Sequence, residues 1–192
     1  MKTCNCFSIQ IQLEKVVWGP QMPRRAFTPL VFAVLSLLLC ACTHKPSRAS
    51  TGKSAPDFAL ADANGAPIRL SAYKGKVVLL DFWATWCGGC KTEIPWYIEF
   101  QDKYRDAGLS AIGVSMDADG WKSVKPFLAE HKLSYPVVIG NDDLGEQFGV
   151  TNMPLTPLID RNGKIADLHA GVVDKDSFES KIRSLLHENA AK

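Results

Sequence analysis

Residues 76–84 read KVVLLDFWA, an almost unbroken apolar run of strand length holding one acid, and a second such run, LSAIGVSMD, follows at 109–117. Short runs this apolar suit strands buried on both faces of a sheet, since half-exposed strands would alternate. Between the two runs the period changes: Ile94, Tyr97, Ile98, Gln101 and Tyr104 fall at spacings of three and four. That spacing predicts a helix from just after Cys87 to about Arg105. Further on, GWKSVKPFLAEHK predicts a helix in which Pro126 stands in a first turn or makes a kink. YPVVIG reads as a strand, DDLGEQFG as a short helix, and LTPLID and KIADLHAG as strands joined at the turn DRNG. A last helix is expected over about 174–186, capped by Asp174 or Asp176, with Phe178, Ile182, Leu185 and Leu186 on one face. Ahead of all these, FALADANGAPIRLSAYKG reads as two short extended pieces around a turn at Asn64-Gly65. Strands alternating with helices predict an α/β fold with a parallel core sheet, and the closing strand–turn–strand predicts an antiparallel edge.

The first forty residues follow a different pattern. MPRR begins at Met22, an apolar run occupies residues 30–41, and a cysteine and a polar stretch come next. This is the order of an export signal, and the run is short of the roughly 20 residues that span a bilayer as a helix. The ending LCAC resembles the bacterial lipobox, which implies that Cys42 is the lipid-modified first residue of the mature protein. Residues 1–41 are therefore expected to be a signal region, with Met22 the expected start. The polar stretch at 42–54 is expected to be the lipidated cysteine and a flexible tether, with the folded domain at 55–190. The domain is expected to sit outside the cytoplasm, held at a membrane by its lipid.

Composition adds one exclusion. The chain is 46% hydrophobic and 22% charged, as expected of one globular domain, and its 22 basic and 20 acidic residues give a net charge of +2. Without a basic block there is no electrostatic case for nucleic-acid binding.

The six cysteines reduce to a pair. Cys4, Cys6 and Cys40 fall in the segment expected to be removed, and Cys42 is taken by lipid, which leaves Cys87 and Cys90 in FWATWCGGC. A structural zinc site needs four ligands, and only scattered histidines accompany this C-x-x-C, so no metal is expected. A purely structural disulfide across so small a loop stabilises little. Redox chemistry fits better: a strand-to-helix junction offers unpaired N–H groups and the positive helix end, both of which favour a thiolate. Cys87 is then the nucleophile and Cys90, one turn further in, the resolving thiol. Gly88 and Gly89 give the turn freedom and leave room near the sulfurs, or simply begin the helix.

LLDFWATWCGGCKTEIP resembles the active-site segment of the thioredoxin superfamily. Together with SAPDFALADANGAPIRLSAYKGK before it and FGVTNMPLTPLIDRNGKI after it, the chain is similar to the TlpA/ResA-like extracytoplasmic thiol-disulfide oxidoreductases. The resemblance implies a thioredoxin-like fold: a central mixed β-sheet flanked by helices, with an N-terminal β extension and an inserted helix-strand element. It implies a cis-proline at Pro154 facing the disulfide and an apolar contact at Met153. Trp83 and Trp86 are both expected to flank the site and present surface to a substrate, or else only to pack beside the core strand. Asp81 matches the buried acid that accepts a proton near the resolving cysteine, and Glu93 an acid near the active site; a buried carboxylate titrates closer to neutrality. Solvated charges are the plainer reading of both. Two departures stand out, Gly89 where the family commonly has proline, and Thr156-Pro157 where it commonly has Thr-Phe. Pro157 inside a strand requires a strand start or a bulge.

The resemblance further implies reduction of disulfides in extracytoplasmic client proteins, apocytochrome c heme-site cysteines among them, by a monomer without a cofactor, re-reduced by a membrane thiol carrier. Two alternatives stay open. APDFAL is shared with peroxiredoxins, which would make the chain a thiol peroxidase, and a thioredoxin-like binding module would need neither thiol.

Overall fold

A computed structural model describes residues 48–188. In chain order the elements are β1 (Ala59–Ala61), β2 (Pro67–Arg69), β3 (Val77–Trp83), α1 (Gly88–Tyr104), β4 (Leu109–Ser115), α2 (Trp121–His131), β5 (Val137–Ile139), α3 (Asp142–Phe148), β6 (Leu155–Ile159), β7 (Ile165–Ala170) and α4 (Lys175–Glu188). A short 3-10 turn, Leu70–Tyr73, links β2 to β3. Five strands form one sheet in the order β5-β4-β3-β6-β7, with β3, β4 and β5 parallel and β6 and β7 antiparallel. The fold is thus the mixed, helix-flanked sheet of a thioredoxin-like domain. The N-terminal extension is the β1–β2 hairpin, turned at Gly65 and closed by the Asp62 carboxylate, which accepts from the amides of Asn64 and Ala66.

All seven residues of β3, and all seven of β4, are buried, which explains why these segments do not alternate. Alternation exists, but it sorts side chains between two cores. Val77, Leu79 and Trp83 pack with Ile94, Tyr97 and Phe100 of α1, Phe127 of α2 and Phe178 and Ile182 of α4. Val78, Leu80 and Phe82 point the other way, toward Leu144 and Phe148 of α3 and Phe58 and Leu70 of the N-terminal segment. Asp81 lies on the first of these faces, in step with Leu79 and Trp83.

Three expectations change. Pro157 is neither at the strand's start nor in its bulge but third of five in β6, paired with Leu168, while the register irregularity falls at Leu158/Ile159. Pairing of β3 with β6 runs Val78↔Ile159 and Leu79↔Leu158 and resumes at Phe82↔Leu155. It skips Thr156 and Pro157, which is how a proline without an N–H fits a central strand. Pro126 stands in the second turn of α2 on its exposed side. The packed chain also begins before Ala55: Ala49 N–H donates to the Gln147 carbonyl at 2.7 Å, Gly52 N–H to Ile165 at 2.8 Å and Ala55 N–H to Gly163 at 2.9 Å. The expected tether at 42–54 is therefore bonded to the domain from Ala49 on. Backbone pairing needs no apolar period, so the pattern could not reveal it. The α4 cap is Asp174, whose carboxylate accepts from Ser177 N at 2.9 Å.

No helix among the described residues is long and apolar enough to cross a membrane. The signal region, Met22 and Cys42 lie outside the described residues.

Candidate redox site

A short loop, residues 84–87, joins the carboxyl end of β3 to α1. Cys87 is the N-cap residue of that helix, with extended φ and ψ of −81° and 109°, and its Sγ accepts from the Cys90 amide at 3.2 Å. The two cysteines form a disulfide, S–S 2.05 Å. Cys87 keeps 6% of its surface open and Cys90 none. Both cysteines are thus buried, but Cys87 retains slight exposure at the positive helix end while Cys90 is sealed behind it.

The loop leading to Cys87 is clamped from the neighbouring parallel strand. Thr85 donates to the Asp117 carboxylate through its amide at 3.0 Å and its hydroxyl at 2.6 Å, and Ser115 Oγ donates to the same carboxylate at 2.8 Å. Asp117 is buried just past the end of β4. Trp86, next along, is 68% exposed. Trp83 does not share that role: it is wholly buried, its ring 4.8 Å from Phe127. Alternation along β3 turns its side chain into the core, whereas Trp86 has left the strand.

Met153-Pro154 is a cis peptide bond, as the resemblance implied. Pro154 is buried and Met153 half-buried against the first core. A methyl built on Gly89 would lie 3.3 Å from Pro154 Cδ, which places Pro154 against the first turn of α1.

Neither acid is a solvated charge. Asp81 is 1% exposed, and neither carboxylate oxygen has a hydrogen-bond partner. Burial holds its pKa well above the ordinary carboxylate value, and the nearby charge of Glu93 pushes the same way. Glu93, also fully buried, accepts from Val173 N–H at 2.6 Å. Burial raises it from 4.5 to about 7, with the Val173 amide and the Tyr97 hydroxyl pulling the other way. Tyr97 is itself buried and shares a 3.0 Å hydrogen bond with Thr156 Oγ1, one residue from Pro157. Two buried carboxyls, both raised above the ordinary carboxylate range and Glu93 to about 7, thus accompany a disulfide on a helix N-terminus. Among the described residues no group of three His, Cys, Asp or Glu is placed to hold a metal ion.

Several contributors escaped the sequence reading. Asp117 and Thr85 were foreshadowed only by topology, because the carboxyl ends of adjacent parallel strands converge. Val172, in the loop from β7 to α4, lies against Gly89 and carries no signal in the chain.

A disulfide closed over two residues at the start of a helix, on a mixed sheet and against a cis-proline, defines a thioredoxin-like thiol-disulfide site. The comparisons agree. The Redoxin family profile matches residues 50–186. The thiol-disulfide oxidoreductase ResA of Geobacillus thermodenitrificans is 34% identical over 137 residues, 71% of this chain and 78% of the relative. A candidate thiol:disulfide interchange protein DsbE from Chlorobium tepidum superposes with a TM-score of 0.69 at 38% identity, over 72% of this chain and 99% of that one. The exposed lipoprotein thioredoxin of Streptococcus pneumoniae gives 0.61 at 29% identity, over 68% and 100%. The chain belongs to the Redoxin family as a ResA-like member of the thioredoxin superfamily, and it is a thiol-disulfide oxidoreductase.

Proposed function

We propose that the chain reduces disulfides of proteins outside the cytoplasm, through Cys87 as nucleophile and Cys90 as resolving thiol. The observation that carries this reading is the asymmetry of the pair, with Cys87 slightly exposed at the helix N-cap and Cys90 sealed beneath it. In the reduced protein the Cys87 thiolate attacks a client sulfur. A Cys87–client bond forms, the client S–S bond breaks, and the departing client thiolate takes up a proton. Cys90 then gives its proton to a buried carboxyl, Asp81 or Glu93, and attacks Cys87 Sγ. The Cys87–Cys90 bond re-forms, the Cys87–client bond breaks, and the second client sulfur leaves as a thiolate that takes up a proton, two electrons having passed to the client.

Trp86 and Met153 offer apolar contact to the client, Gly88 leaves the approach to the sulfurs open, Gly89 keeps the first helical turn close to Pro154, and Pro154 leaves the Met153 backbone free to pair with an extended segment. Apocytochrome c heme-site cysteines are the client class that the family resemblance supplies, and a membrane thiol carrier restores the dithiol. Cys42 carries the lipid that holds this monomeric domain, residues 55–190 with the chain from Ala49 docked on it, at a membrane. The name of the pneumococcal relative, an exposed lipoprotein thioredoxin, supports that placement.

The test is the potential of the Cys87/Cys90 couple against glutathione. A value below about −230 mV supports a reductant, and one near −120 mV reverses the electron flow and overturns the proposal.

A further inference from the structure

The two glycines of C-G-G-C stand in unlike surroundings. A methyl built on Gly88 meets nothing within 4 Å, whereas one on Gly89 falls 2.9 Å from Val172 Cγ2 and 3.3 Å from Pro154 Cδ. Neither neighbour yields easily. Pro154 Cδ is part of a ring, and Val172 is β-branched and stiff at χ1. The backbone on each side of Val172 is pinned as well. Gly171 N–H donates to the Pro154 carbonyl at 2.9 Å, and Val173 N–H to Glu93 Oε1 at 2.6 Å. Burial does not hold Val172 there. The residue is 47% exposed, and with Trp86 it is one of two large apolar residues exposed among the described residues.

The effect reaches the nucleophile. Gly89 lies in the first turn of α1, next to Cys90, whose amide donates to Cys87 Sγ. A Cβ at position 89 would press this turn away from a wall that yields little, shifting the Cys90 amide relative to the sulfur. Amides at a helix N-terminus are what hold a thiolate there. We propose that Val172 is a positioning residue for the redox pair: with Pro154 it forms a wall that admits only glycine at position 89, and so sets where the helix places the Cys90 amide against Cys87. The proposal rests on the roles given above to Cys87 and Cys90. It accounts for glycine where TlpA/ResA-like proteins commonly carry proline, since a proline would bring a Cβ and a ring into the same wall.

The test compares four full-length proteins: the unchanged chain, Gly89→Ala, Val172→Ala and the double variant. Each is equilibrated with reduced and oxidised glutathione, and the reduced forms are trapped with iodoacetamide at Cys87. Gly89→Ala alone is expected to change the glutathione equilibrium constant about tenfold, about 30 mV for this two-electron couple. In the Val172→Ala background the same substitution should change it no more than about twofold, a non-additivity that a purely structural role would not produce. Trapping rates should follow the same pattern. Equal effects in both backgrounds overturn the proposal. If Gly89→Ala does not fold, the double variant is expected to fold, and a double variant as unstable as Gly89→Ala overturns it equally. Glutathione is the only partner, so a failure to reduce proteins leaves the comparison readable, whereas an unchanged chain that exchanges nothing with glutathione sinks the underlying reading of the pair.

Discussion

Glu93→Gln in the oxidised protein isolates one buried proton. Glutamine keeps an oxygen for the Val173 amide, so the 2.6 Å hydrogen bond survives while the ionisable group is lost. In the folded chain Glu93 titrates at about 7 against an ordinary value of 4.5. Between these two values the folded protein holds a proton that the unfolded chain has released, so stability falls as the pH rises from about 4.5 to about 7, and Glu93 contributes no further slope above that. Taken in full, the shift corresponds to about 3 kcal/mol, and relaxation of the buried site around the charged form reduces this to about 1–2 kcal/mol. The unchanged protein should therefore lose about 1–2 kcal/mol more than Glu93→Gln does between pH 4.5 and pH 8. Asp81 slopes in the same direction, and without the Glu93 charge its own pKa relaxes downward, which flattens the variant's profile further. Urea unfolding of both disulfide-bonded proteins across this range, at constant m-value, measures the difference. Parallel profiles would refute the buried titration, and a variant that lost stability faster with rising pH would reverse its sign.

Asp117→Ala removes the acceptor of both Thr85 hydrogen bonds, which should free the loop before Cys87. A local loss of about 1–2 kcal/mol corresponds to roughly 5–30-fold faster amide exchange at Thr85, measurable by NMR, and unchanged exchange would remove Asp117 as the clamp. Arg161→Met acts at the opposite end of the sheet, where the guanidinium donates to the carbonyls of Gly75 at 2.7 Å, Ala107 at 3.0 Å and Leu186 at 3.4 Å. Thermal or urea unfolding should show a loss of about 1–3 kcal/mol with the glutathione equilibrium unchanged, and a shifted equilibrium would contradict the separation of this staple from the redox site.

The order of strands and helices was legible because each element carries its own period: unbroken apolar runs for strands buried on two faces, threes and fours for helices. Local motif chemistry was legible for the same reason, since the C-x-x-C, its helix start and the proline at 154 are stated within a few residues each. Burial of Asp81 and Glu93 was less so. A single acid in KVVLLDFWA fits a strand end or a core position equally well, and only packing against α1, α2 and α4 decides between them. Trp83 and Trp86 show the same limit three residues apart, one turned inward by the strand and one released by the loop.

By itself the sequence determined the α/β class, the redox pair and the residues available to it, because these depend on interactions among near neighbours. Tertiary structure alone brought Val173 to Glu93 across 80 positions and Asp117 to Thr85 across 32, and set Val172 against Gly89. Those contacts follow from the strand order β5-β4-β3-β6-β7, in which β3 lies between its parallel neighbour β4 and the antiparallel β6. Loops remote in the chain then meet at one end of the sheet, and no local pattern encodes which side chains meet there.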